Sequence, residues 1–184
     1  MRTFVALEIA DDAVLGSLVS FQGELAATGA DLKLVGKENL HFTLKFLGEI
    51  PEAQAEEADR RLRALRLEGG PASVSTVGAF PSLRRPNVVW VGVSQEDEPK
   101  VRGIGEAVIR ALQGIGEAET RPFQAHLTLA RVRSGRNIEQ LSSTISASSH
   151  RDFGGFKLGT FKLKSSQLRP SGPVYSDLGV YDLV

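Results

Sequence analysis

Two short stretches carry the residue types that could do chemistry. They are His41-Phe42-Thr43-Leu44 and His126-Leu127-Thr128-Leu129. Each lies in an apolar, strand-like run, and a strand turns residues i and i+2 to the same face. Each copy therefore points a histidine and a threonine at one surface, while Phe42 and Leu44, or Leu127 and Leu129, point into a core. An imidazole gives or takes a proton near neutral pH. A hydroxyl donates a hydrogen bond to an anionic oxygen. Two of each around one small volume suggest in-line displacement at phosphorus, with one histidine as base and the other as acid. The chain holds 3 histidines. The third, His150, falls in the polar turn Ser148-Ser149-His150-Arg151-Asp152 and reads as solvated.

Other chemistries lack their residues. A catalytic zinc site uses about three His or carboxylate ligands. Neither repeat histidine has a second histidine or a carboxylate at i+2, so no metal site and no cofactor are expected. There is no phosphate-binding Gly-x-x-x-x-Gly-Lys motif, and Gly103-x-Gly105 falls inside a helical pattern. The serines show no nucleophile elbow. The absence of cysteine removes thiolate catalysis and disulfides. Lys and Arg number 22, as do Asp and Glu, so any nucleic-acid contact must come from a local patch. The apolar run from Thr3 to Leu7 is broken by Glu8, too early for a signal peptide. No stretch has the length of a membrane span, and a cytoplasmic location is expected.

The elements that must hold these strands follow from periodicity. Thr3 to Ile9 predicts a strand. Asp11 or Asp12 caps a helix with Val14, Leu18, Phe21 and Leu25 inward, stopped by Gly29. Leu32 to Val35 predicts a short strand, then comes the first repeat strand, ending at Gly48. Pro51 opens a second helix with Ala55, Ala58, Leu62 and Leu65 inward. Ala72 to Phe80 and Asn87 to Val93 predict strands joined by the connector Pro81 to Pro86, which is long for a hairpin. A third helix starts at Pro99, with Val101, Ile104, Val108 and Leu112 inward. After the second repeat strand, Asn137 caps a short helix with Ile138, Leu141 and Ile145 inward. Phe153 to Leu168 and Val174 to Leu183 predict two last strands. Adjacent strands without intervening helices favour antiparallel pairing, hence an α+β fold. With no linker to cut at, residues 1–184 read as one two-lobed domain.

The chain resembles the two-histidine phosphoesterases, and within them the RNA 2′,3′-cyclic phosphodiesterase branch, historically called 2′-5′ RNA ligase. The likeness runs through Arg2-Thr3-Phe4-Val5-Ala6-Leu7 and Glu38-Asn39-Leu40-His41-Phe42-Thr43-Leu44-Lys45-Phe46-Leu47-Gly48. It continues through Phe80-Pro81, Val89-Trp90-Val91-Gly92, His126-Leu127-Thr128-Leu129-Ala130-Arg131 and Leu168-Arg169-Pro170-Ser171-Gly172-Pro173-Val174-Tyr175. The resemblance implies a bilobal fold of two mainly antiparallel sheets related by a pseudo-two-fold, with helices outside and the site between the lobes. It implies metal-independent hydrolysis of a 2′,3′-cyclic phosphate to a 2′-phosphomonoester. His41 would be the proton donor and His126 the proton acceptor, with Thr43, Thr128 and Arg131 on the phosphate. Members also join tRNA halves through a 2′-5′ bond. RNA ends or small nucleotides bearing a 2′,3′-cyclic phosphate, tRNA halves among them, a monomeric state and no membrane partner are the corresponding expectations.

One conflict arises here. Strict alternation puts Arg131 on the face opposite His126, unless a bulge shifts the register near Ala130 or the side chain wraps round the strand end. The same alternation favours Lys45, on the face of His41 and Thr43. Arg84, Arg85, Arg133 and Arg136 could track an RNA backbone, and Phe4, Phe80 and Tyr175 are candidates to stack on a terminal base. Phe156, Leu158, Phe161 and Leu163 read as core. Two other functions compete: a cyclic phosphodiesterase for a small nucleotide such as ADP-ribose cyclic phosphate, and a non-catalytic nucleotide-binding module.

Overall fold

A computed structural model describes residues Met1–Val184. In chain order the elements are β1 (Arg2–Glu8), α1 (Asp12–Ala27), β2 (Leu32–Leu34), β3 (His41–Glu49), α2 (Glu52–Arg63), β4 (Gly70–Pro81) and β5 (Pro86–Val93). There follow α3 (Glu98–Ala111), β6 (Leu127–Val132), α4 (Ile138–Ala147), β7 (Gly154–Leu158), β8 (Thr160–Arg169) and β9 (Gly172–Asp182). The main sheet order is β7-β4-β5-β6-β3-β1-β8-β9, with β2 paired to β6, and every pairing is antiparallel. The fold is α+β, as the sequence implied.

The two repeat strands occupy the centre of that order. Each heads one half of the sheet, and the halves join through one residue pair, Phe42 with Leu127. An approximate two-fold passes between these residues. It relates β3 to β6, their neighbours β1 to β5, and the connecting helices α1 to α3. Each helix packs largely across the midline from the strand that precedes it. α1 lies against β6, β7 and α4, while α3 lies against β3.

The helical stripes pack as their periodicity requires. Val14, Leu18, Phe21 and Leu25 of α1, Val101, Ile104 and Val108 of α3, and Leu141 and Ile145 of α4 are buried. They join Val5, Leu7, Phe42, Leu44, Val91, Leu127 and Leu129 in one continuous core on the helical face of the sheet. Each such side chain contributes about 1.5–3 kcal/mol on burial, which fixes strand register, because a one-residue slip would turn the apolar set outward. Asp11 caps α1 by accepting from the Val14 N–H at 2.9 Å, and Gly29 ends it at φ +75°, a conformation that suits glycine.

Three local expectations change. Phe153 to Leu168 is two strands, not one. Gly159 separates β7, which pairs with β4, from β8, which pairs with β1 in the other half. The connector at 81–86 is a tight hairpin turn, with Pro81 paired to Pro86. Asn137 precedes α4 in a left-handed conformation and makes no cap; its amide donates to the Thr28 carbonyl instead.

Candidate active site

Because β3 and β6 are antiparallel, pairing Phe42 with Leu127 puts His41 beside Thr128 and Thr43 beside His126. Phe42 and Leu127 point into the core. The flanking side chains point the other way, and His41, Thr43, His126 and Thr128 are all half-buried there. They form a square, with the two histidines on one diagonal and the two threonines on the other.

The rings are oriented alike. His41 Nδ1 lies 2.7 Å from the Asn39 carbonyl, and His126 Nδ1 lies 2.9 Å from the Gln124 carbonyl. A carbonyl only accepts, so Nδ1 carries hydrogen in both rings and Nε2 is the nitrogen left for chemistry. His41 Nε2 is 3.0 Å from the Thr43 hydroxyl. Burial holds His41 below the ordinary imidazole value; the Asn39 carbonyl opposes this, Lys164 adds to it, and Glu8 opposes it.

The conflict over Arg131 is settled by the backbone. Trp90 pairs with Thr128 and Val89 with Ala130, so Leu129 is an extra residue, a bulge in β6. Two consecutive residues, Leu129 and Ala130, then face the core, and Arg131 returns to the histidine face. A matching bulge sits in β3, where Ala6 pairs with Thr43 and Val5 with Lys45. There the extra residue is Leu44, and it turns Lys45 inward. Lys45 is 4% exposed and donates to the Glu117 carbonyl at 2.9 Å and Glu119 at 3.2 Å. The expectation that Lys45 shares the face of His41 and Thr43 is therefore corrected; Phe46, the counterpart of Arg131, is the residue that emerges. The β6 bulge is pinned by Gln22 of α1, which is buried and donates to the Leu129 and Val35 carbonyls, both at 2.8 Å.

Around the square the two halves differ. Phe80 meets His126 edge-on with ring centroids 5.0 Å apart and stacks on Trp90 at 5.1 Å. Trp90 pairs with Gly78, where a Cβ would lie 2.3 Å from the indole, so the glycine makes room for the ring. Beside His41 lie Phe4, stacked at 5.1 Å, and Tyr175, edge-on at 5.6 Å. Phe4 is 2% exposed, so it supports the imidazole and is not free to stack on a base. Phe80 and Tyr175 keep partly open rings. Burial raises Tyr175, against the pull of Arg2, Arg131 and Lys164 nearby.

Sequence reasoning missed four charged residues here. Lys162 bridges Glu8 at 2.7 Å and Asp177 at 2.8 Å; Lys164 bridges Asp177 at 2.6 Å and also pairs with Glu8. A signal existed in Glu8, the one charge closing an otherwise buried strand. Of the proposed RNA-tracking arginines, Arg133 is tied to Asp31 at 3.0 Å and Arg136 to the Gly29 carbonyl at 2.9 Å. Arg84 and Arg85 are exposed on the β4–β5 turn, and His150 is exposed as read. A separate groove between that turn and α4 is lined by Leu83, Arg84, Ile138 and Ser142 and contains no imidazole. No group of three or more His, Cys, Asp or Glu side chains converges in a way that could hold a metal. No helix is long and apolar enough to cross a membrane.

The fold and the paired His-x-Thr strands are those of a phosphoesterase with two-fold repeated strands. The sequence matches the family described as "LigT like Phosphoesterase" over residues 9–90 and 92–175, and the chain belongs to that family. An Archaeoglobus fulgidus protein named RNA 2′,3′-cyclic phosphodiesterase is 35% identical, over 99% of this chain and 100% of its own length. One of the same name from Aeropyrum pernix is 36% identical, over 90% of this chain and 94% of its own. A Thermus thermophilus protein of known crystal structure superposes with a TM-score of 0.78 at 29% identity, covering 100% of this chain and 98% of that one. E. coli LigT complexed with 3′-AMP has the same fold, with a TM-score of 0.80 at 20% identity over 100% and 98% of the two chains.

Proposed function

We infer that the chain hydrolyses RNA 2′,3′-cyclic phosphodiester ends to 2′-phosphomonoesters. The square of His41, Thr43, His126 and Thr128 around the Phe42–Leu127 pair is the observation that carries this. The relatives' name supplies the substrate class. A cyclic phosphate is strained and near in-line geometry already, so the protein need supply only proton transfer and charge stabilisation.

In the reaction, His126 Nε2 takes a proton from water as its oxygen bonds to phosphorus. The P–O3′ bond breaks, and His41 Nε2–H gives its proton to the leaving 3′-oxygen. Thr43, Thr128 and Arg131 donate to the non-bridging oxygens. With a 5′-hydroxyl in place of water as the nucleophile, the same displacement forms a P–O5′ bond, breaks P–O3′ and frees the 3′-hydroxyl, which is 2′-5′ ligation; tRNA halves are candidate substrates.

The test is hydrolysis of an oligoribonucleotide ending in a 2′,3′-cyclic phosphate, after exhaustive chelation, with the product's phosphate position determined. A 2′-phosphate and full activity are expected. A 3′-phosphate, or activity restored only by a divalent ion, sinks the reading. The balance of 22 basic and 22 acidic residues favours a second substrate, a small cyclic nucleotide without a long RNA. Equal kcat/KM for a cyclic mononucleotide and the oligonucleotide would select it.

A further inference from the structure

The two-fold makes His41 and His126 equivalent in backbone and ring orientation, yet an acid and a base must differ in protonation. We propose that Glu8, held in a closed ring with Lys162, Lys164 and Asp177, is a positioning residue that makes His41 the proton donor. The inference rests on the hydrolytic reading above.

The ladder brings Glu8 to His41. The two are directly paired across β1 and β3, so their side chains share the site face. One step along β5 from Val91, which pairs with Leu127, the corresponding place beside His126 belongs to Gly92. The carboxylate is thus present on one side of the two-fold and absent from the other. Next along the ladder, Ala6 pairs with Lys162 in one half, while Trp90 pairs with Gly78 in the other. Charge surrounds one histidine, and an aromatic wall the other.

The ring alternates in sign: each lysine touches both carboxylates. Burial alone would raise Glu8 and Asp177, but hydrogen bonds from Lys162 and Lys164 hold both below the usual carboxylate range. Burial likewise works against the charge on Lys162, yet Asp177 and Glu8 raise its proton affinity. With two carboxylates and two ammonium groups, the ring sums to zero. The groups facing His41 are Glu8 from β1, Lys164 from β8, Tyr175 from β9, Thr43 on its own strand and Thr128 from β6; Lys162 and Asp177 reach it through the ring, and Arg131 lies near Tyr175. Glu8 is the carboxylate among these that favours a proton on His41. Lys164 weighs against that proton more than Glu8 weighs for it, so the carboxylate is what offsets the ammonium beside the imidazole, and without it His41 would meet Lys164 with no anion of β1 between them.

Removing one carboxylate leaves the ring at +1; removing one lysine leaves it at −1. Glu8→Gln, which is isosteric, should move the alkaline limb of the kcat–pH profile to lower pH and cost roughly three- to thirtyfold in kcat above neutrality. A cyclic phosphate with sulfur in place of the 3′-oxygen needs little proton donation, and it should recover most of that loss. Lys164→Met should move the limb to higher pH; should that variant not fold, Lys162→Met makes the same change in charge at a more open position. The His41 ring titration, followed by NMR in the folded variants, should shift in the same opposed directions. A folded Glu8→Gln protein with the parent profile, or carboxylate and lysine variants shifting the same way, overturns the role of Glu8. Should the wild type fail to hydrolyse cyclic phosphates, or His41→Ala cost nothing, the hydrolytic reading falls and this inference with it. Normal wild-type and His41→Ala behaviour beside an unmoved Glu8→Gln profile defeats only the inference.

Discussion

The half of the sheet carrying His41 and the half carrying His126 agree in their backbones and diverge in what surrounds the rings. Both repeat strands have a His-x-Thr, a carbonyl two residues back holding Nδ1, and a bulge one residue past the threonine. Past those shared positions, one half has an ion-pair ring and buried Phe4, and the other has Phe80 and Trp90 over a glycine. The shared part places two imidazoles and two hydroxyls symmetrically about the Phe42–Leu127 pair. On the proposed mechanism, the divergent part is what would give two otherwise matched imidazoles different duties.

The largest test of that division is removal of either ring. His41→Ala or His126→Ala should lower kcat by roughly 10²–10⁴-fold, the range for one positioned acid or base. The double variant should be far less than multiplicatively worse. The 3′-thio substrate should rescue His41→Ala and not His126→Ala. Rescue in the opposite variant would exchange the two roles.

Arg131 and Lys45 sharpen the comparison of the bulges. Arg131→Met should weaken inorganic phosphate binding by about ten- to hundredfold, since one charge-assisted contact is lost. Lys45→Met should leave that affinity unchanged. Equal losses would mean that the β3 bulge does not turn Lys45 away from the ligand.

A pH effect of moderate size is expected from His41. Its proton affinity starts depressed, and an anion bound beside it raises that affinity. Binding of sulfate, which does not itself titrate in this range, should therefore take up a proton. Affinity should rise as pH falls towards and below the ordinary value of 6.5, and His41→Ala should flatten the dependence. Calorimetry in buffers of different ionisation enthalpy reads the proton directly.

Gln22→Leu should reduce stability by about 1–3 kcal/mol, because the buried Leu129 carbonyl and the partly buried Val35 carbonyl lose their side-chain donor, the former keeping only the Val35 N–H. Chemical denaturation measures this, and a parent-like midpoint would show that the β6 bulge does not need the amide. The smallest effect is expected for Lys45→Met on stability, within about 1 kcal/mol, since the residue gives up an ion pair with a partly exposed glutamate while keeping its apolar stem buried.

The sequence made the common face of the two His-x-Thr pairs and the helices legible, because both depend on near-neighbour spacing. His41, Thr43, His126 and Thr128 needed only the period of a strand. Val14, Leu18, Phe21 and Leu25 needed only the period of a helix. What alternation could not supply was the residue at which it fails. A bulge is set by the partner strand and by a distant donor such as Gln22, so Lys45 and Arg131 could not both be read correctly from one rule. The break at Gly159 had a local mark in the glycine itself, which interrupts the strand pattern, but only pairing shows that the parts on either side serve opposite halves. The ion-pair ring joins residues from both ends of the chain, beyond the reach of local pattern.

The interleaving of the halves also dictates an order of assembly during synthesis. β1 can pair with β3 as soon as α1 and β3 have emerged, but its other edge must wait for β8, one of the last strands made. α1 is early too, yet part of its docking surface is β7 from the last third of the chain. A nascent chain released only as far as β6 would carry an open strand edge and an apolar helix face with nowhere to pack. Folding should therefore be slow, as non-local sheets are, and completed only once β7, β8 and β9 have emerged from the ribosome. An early stop codon should yield an aggregate or a chaperone client, with no half-enzyme to be found.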